Sequence, residues 1–479
     1  MSTTLSSSEA DAAPMTPRAA ATLIVLCGAI FLEGIDVAML NIALPAIRAD
    51  LNLTTTTLSG VVSAYVLGYA GFMLLGGRAA DIFGKRRVFL SALVVFIAFS
   101  GLGGLATEGW MLLLARFVTG AASAFMTPAG LALVATNFPE GPQRNRAVTI
   151  YASTASAGFS LGLVLGGLLA AIDWRWVFFA PVILALLIFV AAIRLIADRQ
   201  SRTTRERFDI PGAVALTAAM LLAVHGVTRL EHPDQNLAWT LAIFGVSAAL
   251  WLAFFLIERL SAAPLVRFGI FRSGSLVRSN LGALLFAGSF FGFQFIATLY
   301  LQELLGWTPI KTSIAMLVIG IDAVVAPMLT PRLVDRFGND RVIFAGFVLA
   351  AISYALLLGM ELDWTYAAIF PSMLLLGLAF SIAYSPLTIA ATDGIHEDEQ
   401  GLAGGLVNTA FQFGAALGLS GSSAIGAYVL GEATSAEARL ASLQMALIVP
   451  VAAAVAGALI TAIGIRRCRD LACDQVMSS

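Results

Sequence analysis

Four charged side chains lie inside long apolar stretches of the sequence: Glu33, Asp36, Arg116 and Asp322. A charge at the centre of a membrane-spanning helix costs about 2.5–3.5 kcal/mol even on permissive scales, so such residues usually have a function. Glu33 and Asp36 are three residues apart and share one face of a helix. Carboxylates placed in this way can hold and release protons. The four charges comprise three carboxylates and one arginine, and this balance favours a cavity that binds a cationic or neutral lipophilic molecule rather than an anion.

The composition indicates that the elements carrying these charges lie in a membrane. Of 479 residues, 59% are hydrophobic and 12% are charged, with a mean hydropathy of +0.89. A soluble protein has about 25% charged residues, so a soluble enzyme and a disordered chain are both excluded. The net charge of -1 gives no basic surface for nucleic acid. Cys27, Cys468 and Cys473 form no disulfide framework or zinc-ligand spacing, and no phosphate-binding glycine loop occurs, so we expect no metal and no cofactor.

Fourteen apolar runs are long enough to cross a bilayer, which takes about 20 mostly apolar residues. The first 17 residues are polar and carry no basic signal region, so we interpret the first run as a retained helix. The runs lie at 19–44, 58–77, 88–107, 111–135, 147–171, 176–196, 210–229, 237–257, 276–302, 310–331, 342–360, 364–391, 402–430 and 442–465.

The basic residues predict the orientation of these spans. An even number of spans places both termini on one side, and that side holds 22 of the 28 lysines and arginines. Five lie on the other side, and Arg116 lies within a span. Because cytoplasmic loops are enriched in lysine and arginine, we expect both termini in the cytoplasm.

A repeated segment predicts two related halves. Residues 78–88 and 332–342 share six of eleven positions at a constant offset of 254. Each copy joins two spans on the predicted cytoplasmic side, so the repeats are parallel, as in one large class of secondary transporters. We therefore expect two six-helix halves with two extra helices between them. The predicted parts are an N-terminal tail at 1–18, the first half at 19–196, a linker at 197–209, two inserted helices at 210–257, a linker at 258–275, the second half at 276–465 and a C-terminal tail at 466–479.

Four sequence motifs resemble those of a known family. They are Gly77–Arg87 between the second and third runs, Asp36–Pro45 in the first, Arg116–Gly120 in the fourth, and a set of glycines in the fifth. They are similar to motifs of the major facilitator superfamily, and more closely of its fourteen-helix drug:proton antiporters, over all but the two tails. Leu163 stands where the antiporter motif usually has proline. The resemblance implies an all-α membrane protein with the major facilitator fold, in which six, two and six helices follow one another.

The loop motif and its repeat predict a cytoplasmic gate. A glycine permits the sharp turn, and Asp81 is placed to meet the positive N-terminal end of a neighbouring helix, which the resemblance makes the thirteenth span. The alternative is a basic cluster that only sets topology. The gate residues are Gly77, Asp81, Gly84, Arg86 and Arg87 in the first half, and Asp335, Arg336, Gly338 and Arg341 in the second.

The embedded charges and small residues have further expected roles. The first and fourth spans run in opposite directions, which puts Asp36 and Arg116 at similar depth, so we expect them to pair. A static salt bridge is the alternative for both, and Glu33 could lie at a cavity edge without a role. We expect Asp322 to carry the moving proton, with Asp36 and Glu33 as further coupling residues. Glycines predicted to pack helices closely are Gly158, Gly162, Gly166, Gly167, Gly414 and Gly418. Candidate cavity residues, which could equally be packing, are Tyr65, Tyr69, Tyr151, Gln294, Asn408 and Gln412.

The predicted function is proton-coupled antiport that exports small, amphipathic drug-like compounds across the bacterial cytoplasmic (inner) membrane by alternating access. A dedicated exporter of one metabolite or antibiotic made by the cell is the alternative. A membrane sensor or a membrane-embedded enzyme belongs to a different class, and no nucleophile–base set supports an enzyme. The expected partners are drug-like molecules, protons and the lipid bilayer, and we expect a monomer.

Overall fold

The computed structural model describes residues 15–138, 142–196, 210–230, 237–261, 268–393, 395, 397–431 and 433–477. Within these ranges the regular structure is helical. The α-helices are α1 Pro17–Leu51, α2 Thr55–Phe83, α3 Lys85–Gly104, α4 Gly109–Asn137, α5 Pro142–Ile172, α6 Trp176–Leu195, α7 Ile210–Leu230, α8 Leu237–Leu260, α9 Gly274–Leu299, α10 Pro309–Met316, α11 Asp322–Phe337, α12 Asn339–Leu357, α13 Tyr366–Thr392, α14 Glu397–Leu430, α15 Ala436–Ala446 and α16 Ile448–Met477.

Among the residues that the structure describes, ten helical segments are long and apolar enough to cross a membrane, and four more helical stretches, at 57–73, 157–172, 214–223 and 309–321, are apolar but shorter. Helix starts follow local chemistry: the side chains of Thr54, Ser273, Thr308 and Ser435 each accept a hydrogen bond from a backbone N–H in the first turn that follows. Such caps satisfy donors that the helix itself leaves unpaired. We call the side on which α1 ends at Leu51 the far side, and the opposite side the near side.

Three predicted runs are not single continuous α-helices. The run at 310–331 is interrupted by a 3-10 turn at Leu317–Ile321, where Ser160 donates to the carbonyl of Gly320 over 3.5 Å and α13 packs tightly through Gly377. A side chain inserted into the backbone ladder is a common cause of such a break. The run at 276–302 ends in a π turn at Tyr300–Leu304.

The last predicted run, at 442–465, breaks between α15 and α16. Pro450 lies in the first turn of α16, where it supplies no N–H and its ring would clash with the carbonyl of Ala446 in a continuous helix. The α16 backbone then stays helical to Met477, through most of the predicted C-terminal tail. The predicted linker at 197–209 and residues 1–14 of the predicted N-terminal tail lie outside the described residues.

The helices pack into two related groups. In the first, α5 lies along α1 and α4 along α2; in the second, α14 lies along α9 and α13 along α12. The groups meet where α2 packs on α14 and where α5 packs on α10. Helix α7 lies over the seam between α2 and α14, whereas α8 packs on α7. This arrangement leaves the faces of α1, α9, α5 and α11 at the centre of the molecule.

Candidate functional site

Asp36 and Arg116 form a buried ion pair in the first group. Arg116 Nη1 donates to Asp36 Oδ2 over 2.6 Å, and the two side chains are 2% and 1% exposed. The guanidinium carbon lies 4.3 Å from the centre of the Tyr65 ring, and the Tyr65 hydroxyl donates to Ser123 Oγ over 3.0 Å. Within the described residues, Arg116 Nε has no hydrogen-bond partner. The pair therefore rests on one short charged hydrogen bond and one cation–π contact.

Glu33 belongs to a neighbouring polar cluster closer to the near side. Thr127 Oγ1 donates to Glu33 Oε2 over 2.5 Å. The Tyr151 hydroxyl donates to the Thr127 carbonyl over 3.3 Å. Sequence reasoning missed Thr127. A signal for it was present in the sequence: Thr127 follows Arg116 by eleven residues on α4, which is about three helical turns, so the two share a helix face.

Asp322 is the first residue of α11 and is 7% exposed. It comes from the second group, whereas Glu33 and Asp36 come from the first. The hydroxyl of Tyr384, on α13, lies close enough to both Glu33 and Asp322 for their charges to act on it. The two carboxylates therefore face a common region from opposite groups of helices.

A continuous wall of aromatic rings borders this region, and of its members the sequence pointed only to Phe290. It runs from Phe159 to Phe290, Phe380, Tyr384 and Phe411, with ring centres 6.0, 4.9, 5.1 and 4.8 Å apart along the series. Phe159 belongs to the first group of helices and the other four to the second. Tyr384 is 37% exposed although it lies well inside α13. An aromatic surface with carboxylates beside it can hold flat, apolar and cationic molecules.

Of the six residues predicted to line a cavity, four are buried and two are half-buried. Tyr65, Tyr69 and Tyr151 are buried in the first group, where Tyr65 and Tyr151 hydrogen-bond in the clusters described above. Gln294 is 0% exposed and accepts from Asn41 Nδ2 over 3.4 Å, which makes it a contact between the two groups. Asn408 and Gln412 are half-buried on α14.

Contacts between α1 and the turn that follows α9 join the two groups at the far side. Gln302 Nε2 donates to the carbonyl of Ile42 over 2.9 Å, and Arg48 Nη1 donates to both carboxylate oxygens of Glu303 over 3.0 and 2.9 Å. Gln302 and Glu303 lie in the π turn, where the N–H of Leu305 donates to the carbonyl of Tyr300. A π turn rotates the residues within it relative to a regular helix, which is how two consecutive side chains reach α1.

The loop motif and its repeat adopt matching turns. Gly84 has φ 95° and Gly338 has φ 81°, each between the end of one helix and the start of the next. Positive φ of this kind favours glycine. Arg86 Nη2 donates to the carbonyl of Ile193 at the end of α6 over 3.0 Å.

The other gate residues are placed as follows. Gly77 lies against Pro128 of α4. Arg87, Asp335, Arg336 and Arg341 are exposed at the near side. The backbone of Asp81 lies in the last turn of α2, but its side chain, like that of Leu402 in the thirteenth predicted span, lies outside the described residues.

The glycine stripes bring helix backbones together. A Cβ added at Gly158, Gly162 or Gly166 would lie 2.6–2.8 Å from atoms of Phe31, of Ile35 and Ala38, and of Met39 on α1. Gly414 and Gly418 pack in the same way on Leu284 and Gly288 of α9, and Gly167 packs on Ser313 of α10. Sequence reasoning missed the equivalent contacts of Gly68 and Gly120 between α2 and α4.

A model of the Major Facilitator Superfamily matches residues 26–419. The chain belongs to this superfamily. Solved structures share its fold: a POT family transporter in complex with 5-aminolevulinic acid (TM-score 0.68, 15% identity, 92% of this chain and 95% of that one) and a bacterial homolog of the human lysosomal transporter Spinster (TM-score 0.65, 16% identity, 95% and 98%).

The curated relatives of this superfamily member include antibiotic exporters. It is 34% identical to the cephamycin export protein CmcT of Amycolatopsis lactamdurans, over 85% of this chain and 84% of that protein. It is 33% identical to the puromycin resistance protein pur8 of Streptomyces alboniger, over 93% and 90%, and 33% identical to the lincomycin resistance protein of Streptomyces lincolnensis, over 86% and 85%. The protein is thus a multi-pass membrane transporter and not an enzyme.

Proposed function

We propose that the protein is a proton-coupled antiporter that exports amphipathic, cationic or neutral drugs across the bacterial cytoplasmic membrane, and that it works as a monomer. The observation that carries the proposal is the aromatic wall that spans both groups of helices, with Tyr384 near one carboxylate of each group, Glu33 and Asp322. A cationic substrate and a proton would compete for negative charge in this region, and antiport follows from that competition. Alternating access is the mode of transport that parallel-repeat transporters use.

The membrane topology belongs to this proposal. Fourteen spans with both termini in the cytoplasm make the far side the outer side of the membrane. The two motif turns at Gly84 and Gly338 then lie inside, and Arg48, Arg175 and Arg439 lie outside. A reporter fused after Arg467 should be active only in its cytoplasmic form. A reporter there that is active only outside would refute the fourteen-span topology.

The coupling roles follow from the surroundings of each charge. Asp36 is held by Arg116, so the pair positions α1 against α4, and a proton on Asp36 would release that contact. Asp322 belongs to the second half, whose helices carry four of the five rings of the aromatic wall, and is the residue we assign to the moving proton, with Glu33 as its counterpart in the first half. The Arg48–Glu303 pair joins the two groups at the far side and would be the bond that opens when substrate leaves.

A second candidate function is the export of one endogenous compound. It is favoured by the relatives' names, since the three relatives compared above are named for cephamycin, puromycin and lincomycin. The aromatic wall favours the broader range, because stacking on aromatic rings tolerates many flat molecules.

Inverted membrane vesicles with an imposed pH gradient would test the proposal. Gradient-dependent, saturable uptake of several unrelated lipophilic cations would support proton-coupled multidrug export. Uptake of a single antibiotic class would favour the dedicated exporter. Uptake that is unchanged when the gradient is collapsed would refute proton coupling. Vesicles carrying Tyr384→Ala test the wall, since that variant should weaken uptake of aromatic cations more than of aliphatic ones.

A further inference from the structure

A cavity of about 310 Å³ lies at the far side, between the ends of α1 and α9 on one hand and α14 and α15 on the other. Its lining includes Arg48, Glu303, Ser422 and Arg439. It contains none of the carboxylates or aromatic-wall residues of the central region, so it is a separate space. Its volume falls at the small end of the range for sites that bind small molecules.

The walls of this cavity are mostly apolar. Phe295 and Leu299 contribute one wall from α9, Leu304 a second from the π turn, and Leu443 a third from α15. An aliphatic chain or a small ring system that enters the cavity would exchange contact with water for contact with these side chains. This burial of apolar surface favours binding.

The charged lining of the cavity is positive overall. Of its lining residues, Arg48 and Arg439 are cationic and Glu303 is the single anion, and Glu303 is already bonded to Arg48. Arg439 is exposed on α15 at the edge of the cavity. A ligand with one negative group would therefore meet a net positive potential, and guanidinium groups bind carboxylates and phosphates through paired hydrogen bonds.

A polar atom within the lining lacks a partner. Ser422 is 0% exposed, and its Oγ has no hydrogen-bond partner among the described residues. Because the Ser422 side chain is 0% exposed, its Oγ is not open to a molecule in the cavity, and recognition rests on the charges and the apolar walls.

We propose that this cavity binds an amphipathic monoanion, namely an acyl chain that carries a carboxylate or a phosphate. The acidic group lies at Arg439 and Arg48, and the apolar chain lies between α9, α14 and α15. A free fatty acid and an anionic phospholipid both have this chemistry. Arg48 comes from the first half of the chain and Arg439 from the second, so the ligand contacts both halves.

Binding is measured on the full-length protein in nanodiscs of phosphatidylcholine, with a dodecanoic acid that carries a photoreactive diazirine. Crosslinks should map by mass spectrometry to 292–304 and 420–446. Unlabelled dodecanoate should compete at about tenfold lower concentration than dodecanol, which has the chain without the charge. This readout needs no transport, so it is independent of the function proposed above.

Matched variants locate the acidic group. Arg439→Gln should weaken labelling about tenfold, because one charged contact is lost. Glu437→Gln, an exposed change on the same helix that does not line the cavity, should leave labelling unchanged. Arg48→Gln should weaken labelling as well, since it also leaves Glu303 to repel the ligand.

Three results would overturn the proposal: crosslinks confined to lipid-facing helices, equal competition by dodecanol, or wild-type labelling of Arg439→Gln. Nanodiscs that contain phosphatidylglycerol separate the two sources of the ligand. If phosphatidylglycerol blocks the label, the cavity takes a phospholipid; if only dodecanoate blocks it, the cavity takes a free acid. Failure of both to compete would refute the site.

Discussion

Replacing Asp36 by asparagine removes the negative partner of a guanidinium that is 2% exposed and cannot lose its proton. Loss of one member of a buried ion pair costs about 3–5 kcal/mol. The Tyr65 ring, 4.3 Å from the guanidinium, contacts it in the wild type and in the variant alike, so it does not change the difference between them. We therefore expect Asp36→Asn to lower the free energy of unfolding by about 3–5 kcal/mol.

The complementary change, Arg116→Gln, should behave differently with pH. It leaves a buried carboxylate, which can become neutral by taking a proton, whereas the arginine left by Asp36→Asn stays charged. The folded state of Arg116→Gln binds this proton more readily than the unfolded state, so its stability should rise as the pH is lowered. The loss in Asp36→Asn should not depend on pH in this way.

Denaturant unfolding of the purified proteins in detergent, followed by tryptophan fluorescence, measures both effects. Asp173→Asn is the control, because the Asp173 side chain is 46% exposed and a surface ion pair contributes about 0–1 kcal/mol. If Asp36→Asn is no less stable than Asp173→Asn, or if the two variants of the pair respond alike to pH, the assignment of a buried, structurally coupled pair is refuted.

Three further predictions concern the gates and the coupling site. Because the Arg48 and Glu303 side chains are 28% and 21% exposed, Glu303→Gln should cost about 1 kcal/mol and shift the equilibrium about fivefold toward an open far side. The charge-reversed double variant Arg48→Glu/Glu303→Arg should restore the wild-type equilibrium. Distances between spin labels on the two halves measure that equilibrium. A double variant as open as Glu303→Gln would argue against the pair. Asp322→Asn should reduce gradient-driven export of dications more than of monocations and release fewer protons on substrate binding; unchanged proton release in detergent at several pH values would rule it out as the coupling site. Asp81→Asn should slow transport with substrate affinity nearly intact, and the opposite pattern, lost affinity at normal turnover, would contradict a gating role.

The sequence alone determined where the helices lie and where the chain must turn. Long apolar runs have one stable arrangement in a membrane, because a helix satisfies all of its own backbone hydrogen bonds. Glycines at matching positions of a repeat, Gly84 and Gly338, predicted two equivalent turns, and both have positive φ. Charged residues are costly inside a membrane, so the residue types alone marked Asp36 and Arg116 as functional candidates. The opposite directions of their helices predicted that the two lie at a similar depth. The structure puts their side chains in contact.

The sequence also left local irregularities undecided. The π turn at Tyr300–Leu304 and the 3-10 turn before Asp322 fall inside apolar runs that look like ordinary helix. Each depends on what packs against it: α1 receives the side chains of Gln302 and Glu303, and Ser160 reaches the carbonyl of Gly320. Partners that are more than 150 residues away in the chain cannot be inferred from a local pattern.

The tertiary structure alone decided which residues of the two halves face each other. In an apolar environment most faces of a helix look alike in sequence, since lipid-facing and protein-facing residues are both hydrophobic. The rotation of each helix is set by close backbone contacts, such as those of Gly162 with α1 and Gly414 with α9. That rotation aligns Phe290, Phe380 and Tyr384 in one wall and buries Gln294 between the halves. The periodicity of 3.6 residues per turn fixes neighbours along a helix, and only packing between helices fixes neighbours across them.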